Sequence, residues 1–267
     1  MSSSKSIALL VCDTPMDSIK DEHGDYSVMF AGLLRTAAAQ LGLVPDAVTL
    51  DAYDVVGAMA YPTEEQLDRY DGVLITGSKF SAYDDIEWIN TLVAFTARVA
   101  KTRPQLKIIG ICFGHQIVAR ALGGRCVPNS GRWEVGPTPV PLTPLGKELF
   151  GVDELYIQEM HQDHVPEVPP SFHLLGSTAV SMNQGMVRFH EDGDGASVVP
   201  PSPIPSRHPE FTEPIVRKLT QARAAQGIIP AATAEDADRR AGWRNDGVGV
   251  IARVMLGVYG VGIGGVV

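Results

Sequence analysis

Short apolar runs rich in β-branched residues alternate with longer segments of helical periodicity through the first 122 residues. This alternation constrains the fold more than any other feature. A parallel strand pair needs a crossover, and an amphipathic helix supplies one while covering a face of the sheet. The pattern predicts strands at Ser6–Cys12, Ala47–Leu50, Gly72–Thr76 and Leu106–Ile111. Between them it predicts helices at Ser27–Leu41, Thr63–Tyr70 and Glu87–Lys101, and after the last strand Gln116–Leu122, closed by Gly123-Gly124. Met29, Leu33, Ala37 and Leu41 recur on one helical face, and Thr63 with Gln66 three residues on has the form of a capping box. The fold class implied is α/β: a flavodoxin-like, mostly parallel, doubly wound sheet with helices on both faces.

The second half reads differently. Strands are expected at Arg132–Leu142, Leu155–Met160 and Phe172–Ser177, with a helix at Pro144–Phe150, as an antiparallel extension of the same sheet. His190–Ser206 is acidic and rich in Gly and Pro, with prolines at 200, 201, 203 and 205. That composition predicts a mobile loop, since proline cannot donate to a ladder and little apolar area offsets ordering. Helices resume at Glu213–Ala224 and Ala234–Ala241. The organisation expected is one catalytic domain over residues 1–246, with the Pro-rich loop at 190–206. A C-terminal helix and Gly-rich tail over 247–267 follow it.

Residues 247–267 have the length of a membrane span, but seven glycines and Arg253 argue for a docked helix at about Val248–Leu256 instead. The N-terminal apolar run, Ile7–Cys12, stops at Asp13-Thr14-Pro15 and reads as a strand, not a signal peptide. With 22 Lys and Arg against 31 Asp and Glu, the net charge is −9, which excludes nucleic acid or an anionic membrane as the main partner. Three scattered cysteines, Cys12, Cys112 and Cys126, make no disulfide framework and point to a reducing, cytoplasmic setting.

One cysteine has a special context. Gly110-Ile111-Cys112-Phe113-Gly114 lies where a strand ends and a helix begins, the arrangement of a nucleophile elbow. Such a turn points the sulfur into a cleft at the C-terminal edge of the sheet. It leaves the Phe113 amide free to bind an oxyanion, and the helix N-terminus favours the thiolate. Cys12 and Cys126 read as structural.

A thiol nucleophile needs a proton acceptor held by a third group. Four histidines have an acid two residues on: His23/Asp25, His161/Asp163, His190/Asp192 and His208/Glu210. Proline after His208 forces an extended conformation, which puts His208 and Glu210 on the same side of the chain. His161-Gln162-Asp163-His164 is the rival, as a base or as a substrate contact. No metal site is expected there, because two histidines and an aspartate so close in sequence rarely converge. No cofactor is expected either.

GICFGHQ at Gly110–Gln116 together with RHPEF at Arg207–Phe211 resembles the class I glutamine amidotransferase family. LITGSKFSAYDD at Leu74–Asp85 is similar to the family's oxyanion loop. WEVGPTPV at Trp133–Val140 and MHQDHV at Met160–Val165 are similar to its substrate-binding segments. CDTPMDSIKDEHGDYSVMF near the start resembles small stand-alone members from fungi and plants, some of which are γ-glutamyl peptidases. The resemblance implies Cys112 as nucleophile, His208 as acid and base, and Glu210 as its orienter. It implies an oxyanion hole from the amides of Phe113 and of Gly77 or Ser78. Gln116, with the backbone around Trp133, Glu134 and Val135 and around His161, Gln162 and Asp163, would hold the glutamyl head group.

The activity implied is hydrolysis of a γ-glutamyl amide, in glutamine or a conjugate, through a glutamyl thioester. The alternatives are a glutaminase that passes ammonia to a partner synthetase, and a non-catalytic binding member of the same fold. No Gly-x-x-x-x-Gly-Lys-[Ser/Thr] phosphate loop occurs and the length leaves no room for a synthetase domain, so ammonia use would need a partner protein. One departure stands out. Where the family has a core strand before the His-Pro-Glu motif, this chain has SVVPPSPIPS, Ser197–Ser206.

Overall fold

The computed structural model describes residues 4–191, 198–199, 204–205 and 208–262. Its first part alternates β1 (Lys5–Val11), α1 (Asp17–His23), α2 (Tyr26–Gln40), β2 (Val48–Asp54), α3 (Glu64–Leu67), β3 (Gly72–Ile75), α4 (Glu87–Thr102), β4 (Lys107–Gly110) and α5 (Phe113–Ala121). The strands form a parallel sheet in the order β2-β1-β3-β4.

Strands β1, β3 and β4 are buried on both faces, and their period-2 alternation sorts residues between two cores. Ile7 and Leu9 of β1, Leu74 of β3 and Ile109 of β4 join a core with α2. Ala8, Leu10, Val73, Ile75 and Ile108 join the opposite core with α4 and α5. That is why these strands read as continuous apolar runs. Asp25 caps α2 by accepting from the Val28 N–H, and α2 buries Met29, Phe30, Leu33, Leu34, Ala37 and Ala38. Thr63 and Gln66 form the capping box at α3. Helix α1 has no counterpart in the periodicity, since Ile19 is its one buried residue.

The second part comprises β5 (Val127–Pro128), β6 (Glu134–Pro141), α6 (Pro144–Phe150), β7 (Glu154–His161), β8 (Asp163–His164), β9 (His173–Leu174) and β10 (Gly185–Val187). Then come β11 (His190–Glu191), β12 (Val198–Val199), β13 (Ile204–Pro205), α7 (Glu213–Ala225) and α8 (Ala231–Arg240). The antiparallel part is present, but as separate small sheets: β6 with β7, β5 with β8, β11 with β12, and β13-β10-β9. The long ribbon stops at two strands for a local reason. Pro137, Pro139 and Pro141 alternate along β6, so their missing N–H groups fall on one edge, and Gly136, Thr138 and Val140 remain to bond β7.

The described residues correct the expectation of a loop over 190–206. β11 and β12 pair with each other, and β13 pairs with β10 through Met186↔Ile204 and Gly185↔Pro205. A proline fits there because β13 is the edge strand of its sheet and the Pro205 carbonyl can still accept. The rest of the Pro-rich stretch, on which the expectation of mobility falls, lies outside the described residues.

A π-helical turn (Gly247–Ala252) runs into α9 (Arg253–Val258). Ile251, Met255, Leu256 and Tyr259 bury into the α2 side of the core. The Gly-rich tail beyond residue 262 lies outside the described residues. Among those that are described, no helix is long and apolar enough to cross a membrane.

Candidate active site

β4 ends at Gly110 and α5 starts at Phe113, so Cys112 occupies the turn between them. Its backbone is forced to φ 50° and ψ −104°, a left-handed conformation that costs a non-glycine residue on the order of 1–3 kcal/mol. Both flanking glycines are required by contact. A Cβ on Gly110 would strike the Gly114 carbonyl, and one on Gly114 would strike the Ile75 carbonyl. As the first residue of α5, Phe113 has no intrahelical partner for its N–H. The Cys112 side chain is nearly buried, at 4% exposure.

His208 follows β13. Its N–H donates to the Gln158 carbonyl at 3.3 Å, which ties it to β7. Its Nδ1 lies 2.8 Å from Glu210 Oε1, and its ring stacks on Phe211 with centroids 4.0 Å apart and planes 4° from parallel. With Nδ1 committed to Glu210, Nε2 is the ring atom left for the Cys112 sulfur, whose hydrogen bond and charge both act on this imidazole. Burial alone would pull the His208 pKa down. The interactions with Cys112 and Glu210 outweigh it and raise the pKa to about 10. The C-terminal segment backs this turn: Asn245 Nδ2 donates to the Phe211 carbonyl at 2.9 Å, and Gly247 lies against Pro209 with no room for a Cβ.

The loop after β3 faces them. Gly77 lies flat against the imidazole, so that a Cβ there would be 2.5 Å from His208 Cε1. The loop is fastened at both ends. Asp13 accepts from the Lys79 N–H at 2.8 Å, and Asp163 accepts from Ser81 Oγ at 2.6 Å and from the Tyr83 hydroxyl at 3.3 Å.

His161 is buried in a different setting. Its Nδ1 is 3.0 Å from the Asp163 carbonyl, which only a protonated nitrogen can satisfy. Its Nε2 is 3.1 Å from Glu159 and 3.5 Å from Glu134. Burial would lower its pKa, but Glu159, Cys112 and Glu134 raise it to about 9. With Nδ1–H donated to the Asp163 carbonyl and Nε2 held in ion-pair range of two carboxylates, His161 favours the imidazolium and is a poor proton acceptor. Register builds this cluster, since Glu134 pairs with His161 across the ribbon and Glu159 lies two residues before it on the same face. Sequence reasoning missed Glu159, although its spacing of two from His161 on a strand was a usable signal.

A small pocket of about 60 Å³ over the sulfur is lined by Cys112, Phe113, Gln116, Ser78, His161 and Asp163, among others. It shares Ser78, Lys79, Trp133, Met160, Gln162 and Arg223 with an open cleft of about 730 Å³ that reaches His208, Tyr26 and Phe211. Gln116, Trp133, His161, Gln162 and Asp163 thus line one pocket beside Cys112. Glu134 and Val135, expected with them, sit behind it. The Glu134 carboxylate accepts from Thr178 and Gln184, and the Val135 carbonyl accepts from Arg240. Lys79 and Arg223 line both cavities without having been singled out in the sequence. Lys79 is paired with Asp13 at 3.0 Å, and Arg223 lies over the Trp133 ring. No group of three His, Cys, Asp or Glu among the described residues is placed to hold a metal ion.

The sequence model described as class-I glutamine amidotransferase matches residues 36–192, more than half of the chain. The chain belongs to the class-I glutamine amidotransferase family. A glutamine amidotransferase-like protein of Schizosaccharomyces pombe is 35% identical over 88% of this chain and 90% of its own length. Gamma-glutamyl peptidase 3 of Arabidopsis thaliana is 30% identical over 66% of this chain and 69% of its own length. The fold is similar to that of a glutamine amidotransferase from Thermotoga maritima, with a TM-score of 0.66, 17% identity, and 96% and 99% of the two chains covered. The family match ends before His208 and Glu210.

Proposed function

We propose that the protein hydrolyses the γ-glutamyl amide bond of a conjugate, with Cys112, His208 and Glu210 as its catalytic residues. The observation that carries the chemistry is the strained Cys112 facing an imidazole whose far nitrogen is held 2.8 Å from a buried carboxylate. The Cys112 thiolate attacks the side-chain carbonyl carbon, and the oxyanion receives N–H groups from Phe113 and from Gly77 or Ser78. Protonated His208 gives its proton to the amine as the C–N bond breaks, leaving a glutamyl thioester. Water then attacks the thioester, His208 takes its proton, and glutamate and the thiolate are released. Glu210 holds the ring through both steps. His161 stays charged throughout and orients the pocket floor, with Gln116 and Asp163 beside the glutamyl group.

The 730 Å³ cleft favours a conjugate over glutamine, because a leaving group larger than ammonia is needed to fill it. Its Trp133, Met160 and Phe211 offer that group apolar contact. Three buried free cysteines suit a reducing compartment, and we place the reaction in the cytoplasm. The test is to incubate the protein with glutamine and with a γ-glutamyl dipeptide, and to measure free glutamate and Cys112 labelling by a glutamine-mimicking electrophile. Faster release from the dipeptide is expected. Hydrolysis of glutamine alone would transfer the reading to ammonia delivery. No hydrolysis and no labelling would leave a binding protein.

A further inference from the structure

A slot of about 400 Å³ lies between α7, α8 and β6, and it shares no lining residue with the catalytic cleft. Helix α7 separates the two: Val216, Thr220 and Ala224 face the slot, while Leu219, Arg223 and Gln226 face the cleft. We infer that this slot is a second binding site, for a small amphipathic amine with a neutral hydrogen-bond donor at its apolar end.

The walls are apolar and short, with Pro137, Val216, Ala237 and Ala241 leaving the space open. Two polar side chains that line it are left without partners among the described residues. Gln158 is 1% exposed and its Oε1 accepts no hydrogen bond; Thr220 is 6% exposed and its Oγ makes none. Buried polar atoms are ordinarily paired, so an unmet amide oxygen and hydroxyl beside one cavity mark where a donor from a ligand is missing. Small alanines alone would make only a gap; the two orphaned oxygens make it a built site.

Charge selects the other end of the ligand. Glu213, Glu235 and Asp238 line the slot with Arg217 as their one cation. Arg217 pairs with both Glu213, at 2.9 Å, and Asp238. Glu235 is exposed and has no ion pair among the described residues. The excess of carboxylate repels an acid and attracts an ammonium group. A ring or short alkyl body between the two ends would cover the alanine walls.

The experiment is calorimetry on the full chain with three probes of one shape. Tyramine has a phenol donor and an ammonium group. Phenethylamine lacks the donor, and 3-(4-hydroxyphenyl)propionate carries a carboxylate in place of the ammonium. Tyramine is expected to bind, and each of the others to bind about tenfold more weakly or worse, the worth of one hydrogen bond or charge contact. Thr220→Val, which keeps the side chain's shape, and Ala234→Leu, which fills the half-buried lip of the slot, are each expected to weaken tyramine by a similar factor. Alkylating Cys112 beforehand should leave the binding unchanged, so the outcome does not depend on the reaction proposed for the cleft. The inference is overturned if tyramine does not bind, if the carboxylate or phenethylamine binds equally well, if both variants bind as the parent does, or if alkylation abolishes binding.

Discussion

Gly77→Ala tests the site through a single methyl group. Gly77 is not among the positive-φ glycines, so alanine brings no left-handed strain, and it keeps the backbone N–H proposed for the oxyanion. Its Cβ, however, would lie 2.5 Å from His208 Cε1, whereas ordinary contact begins at 3.4 Å. The ring must withdraw by about 1 Å, and Phe211 stacked behind it at 4.0 Å limits how it can do so. A misplacement of about 1 Å in a reacting group costs roughly a hundredfold in rate, or about 2.7 kcal/mol of activation free energy. The expected result is a fall of about two orders of magnitude in kcat for γ-glutamyl hydrolysis, with a matching fall in the rate of Cys112 alkylation by iodoacetamide near neutral pH. Urea unfolding should move by about 1 kcal/mol or less. Gly32→Ala, on α2 with nothing within 4 Å of the added methyl, is the control and should leave turnover unchanged. If Gly77→Ala retained wild-type turnover and alkylation, His208 would not be acting on Cys112 from the position described.

Cys112→Ala should abolish glutamate release with little change in melting temperature, since alanine keeps the same φ 50° backbone and removes only the sulfur; residual wild-type turnover would exclude it as the nucleophile. It should also lower the His208 pKa below about 10 by removing the thiolate charge, as followed by imidazole NMR. His161→Gln leaves Glu134 and Glu159 buried without their imidazolium and should cost about 3–5 kcal/mol in urea unfolding, against little if the cluster were solvated. The His161 pKa is raised in the folded state to about 9 from 6.5. Its stabilisation is therefore full below about pH 6.5 and lost as pH rises through about 9, and this slope should vanish in the same variant. Gly247→Ala drives a methyl into the Pro209 carbonyl, and it should cost about 1–3 kcal/mol and lower kcat, measured side by side; unchanged stability would mean the C-terminal segment does not brace the His208 turn.

Several of these residues were legible without coordinates because their geometry is local. Gly110 and Gly114 around Cys112 announce a turn that tolerates no side chains, and the structure gives each glycine a carbonyl to avoid. Thr63 and Gln66 are close in sequence and cap the same helix end. His208 and Glu210 meet at 2.8 Å because proline between them extends the chain. The alternation of strands and helices specified the parallel sheet for a similar reason: each period reports which faces of one element are buried.

Other features depended on residues far apart in sequence. His161 and His208 looked alike, each with an acid two residues on, and only packing distinguishes them. β6 brings Glu134 opposite His161 and makes it a held cation, while β13 and the Gln158 carbonyl carry His208 to the sulfur. The backbone of Glu134 and Val135 was expected beside the glutamyl group, but Arg240 takes the Val135 carbonyl and neither residue lines the pocket. The prolines before His208 argued for a loop, yet an edge position let Ile204–Pro205 pair with β10. Periodicity and motif spacing thus determined the elements and the turn that carries Cys112. Register and edge position, which depend on how distant elements meet, decided which imidazole faces it and in which charge state.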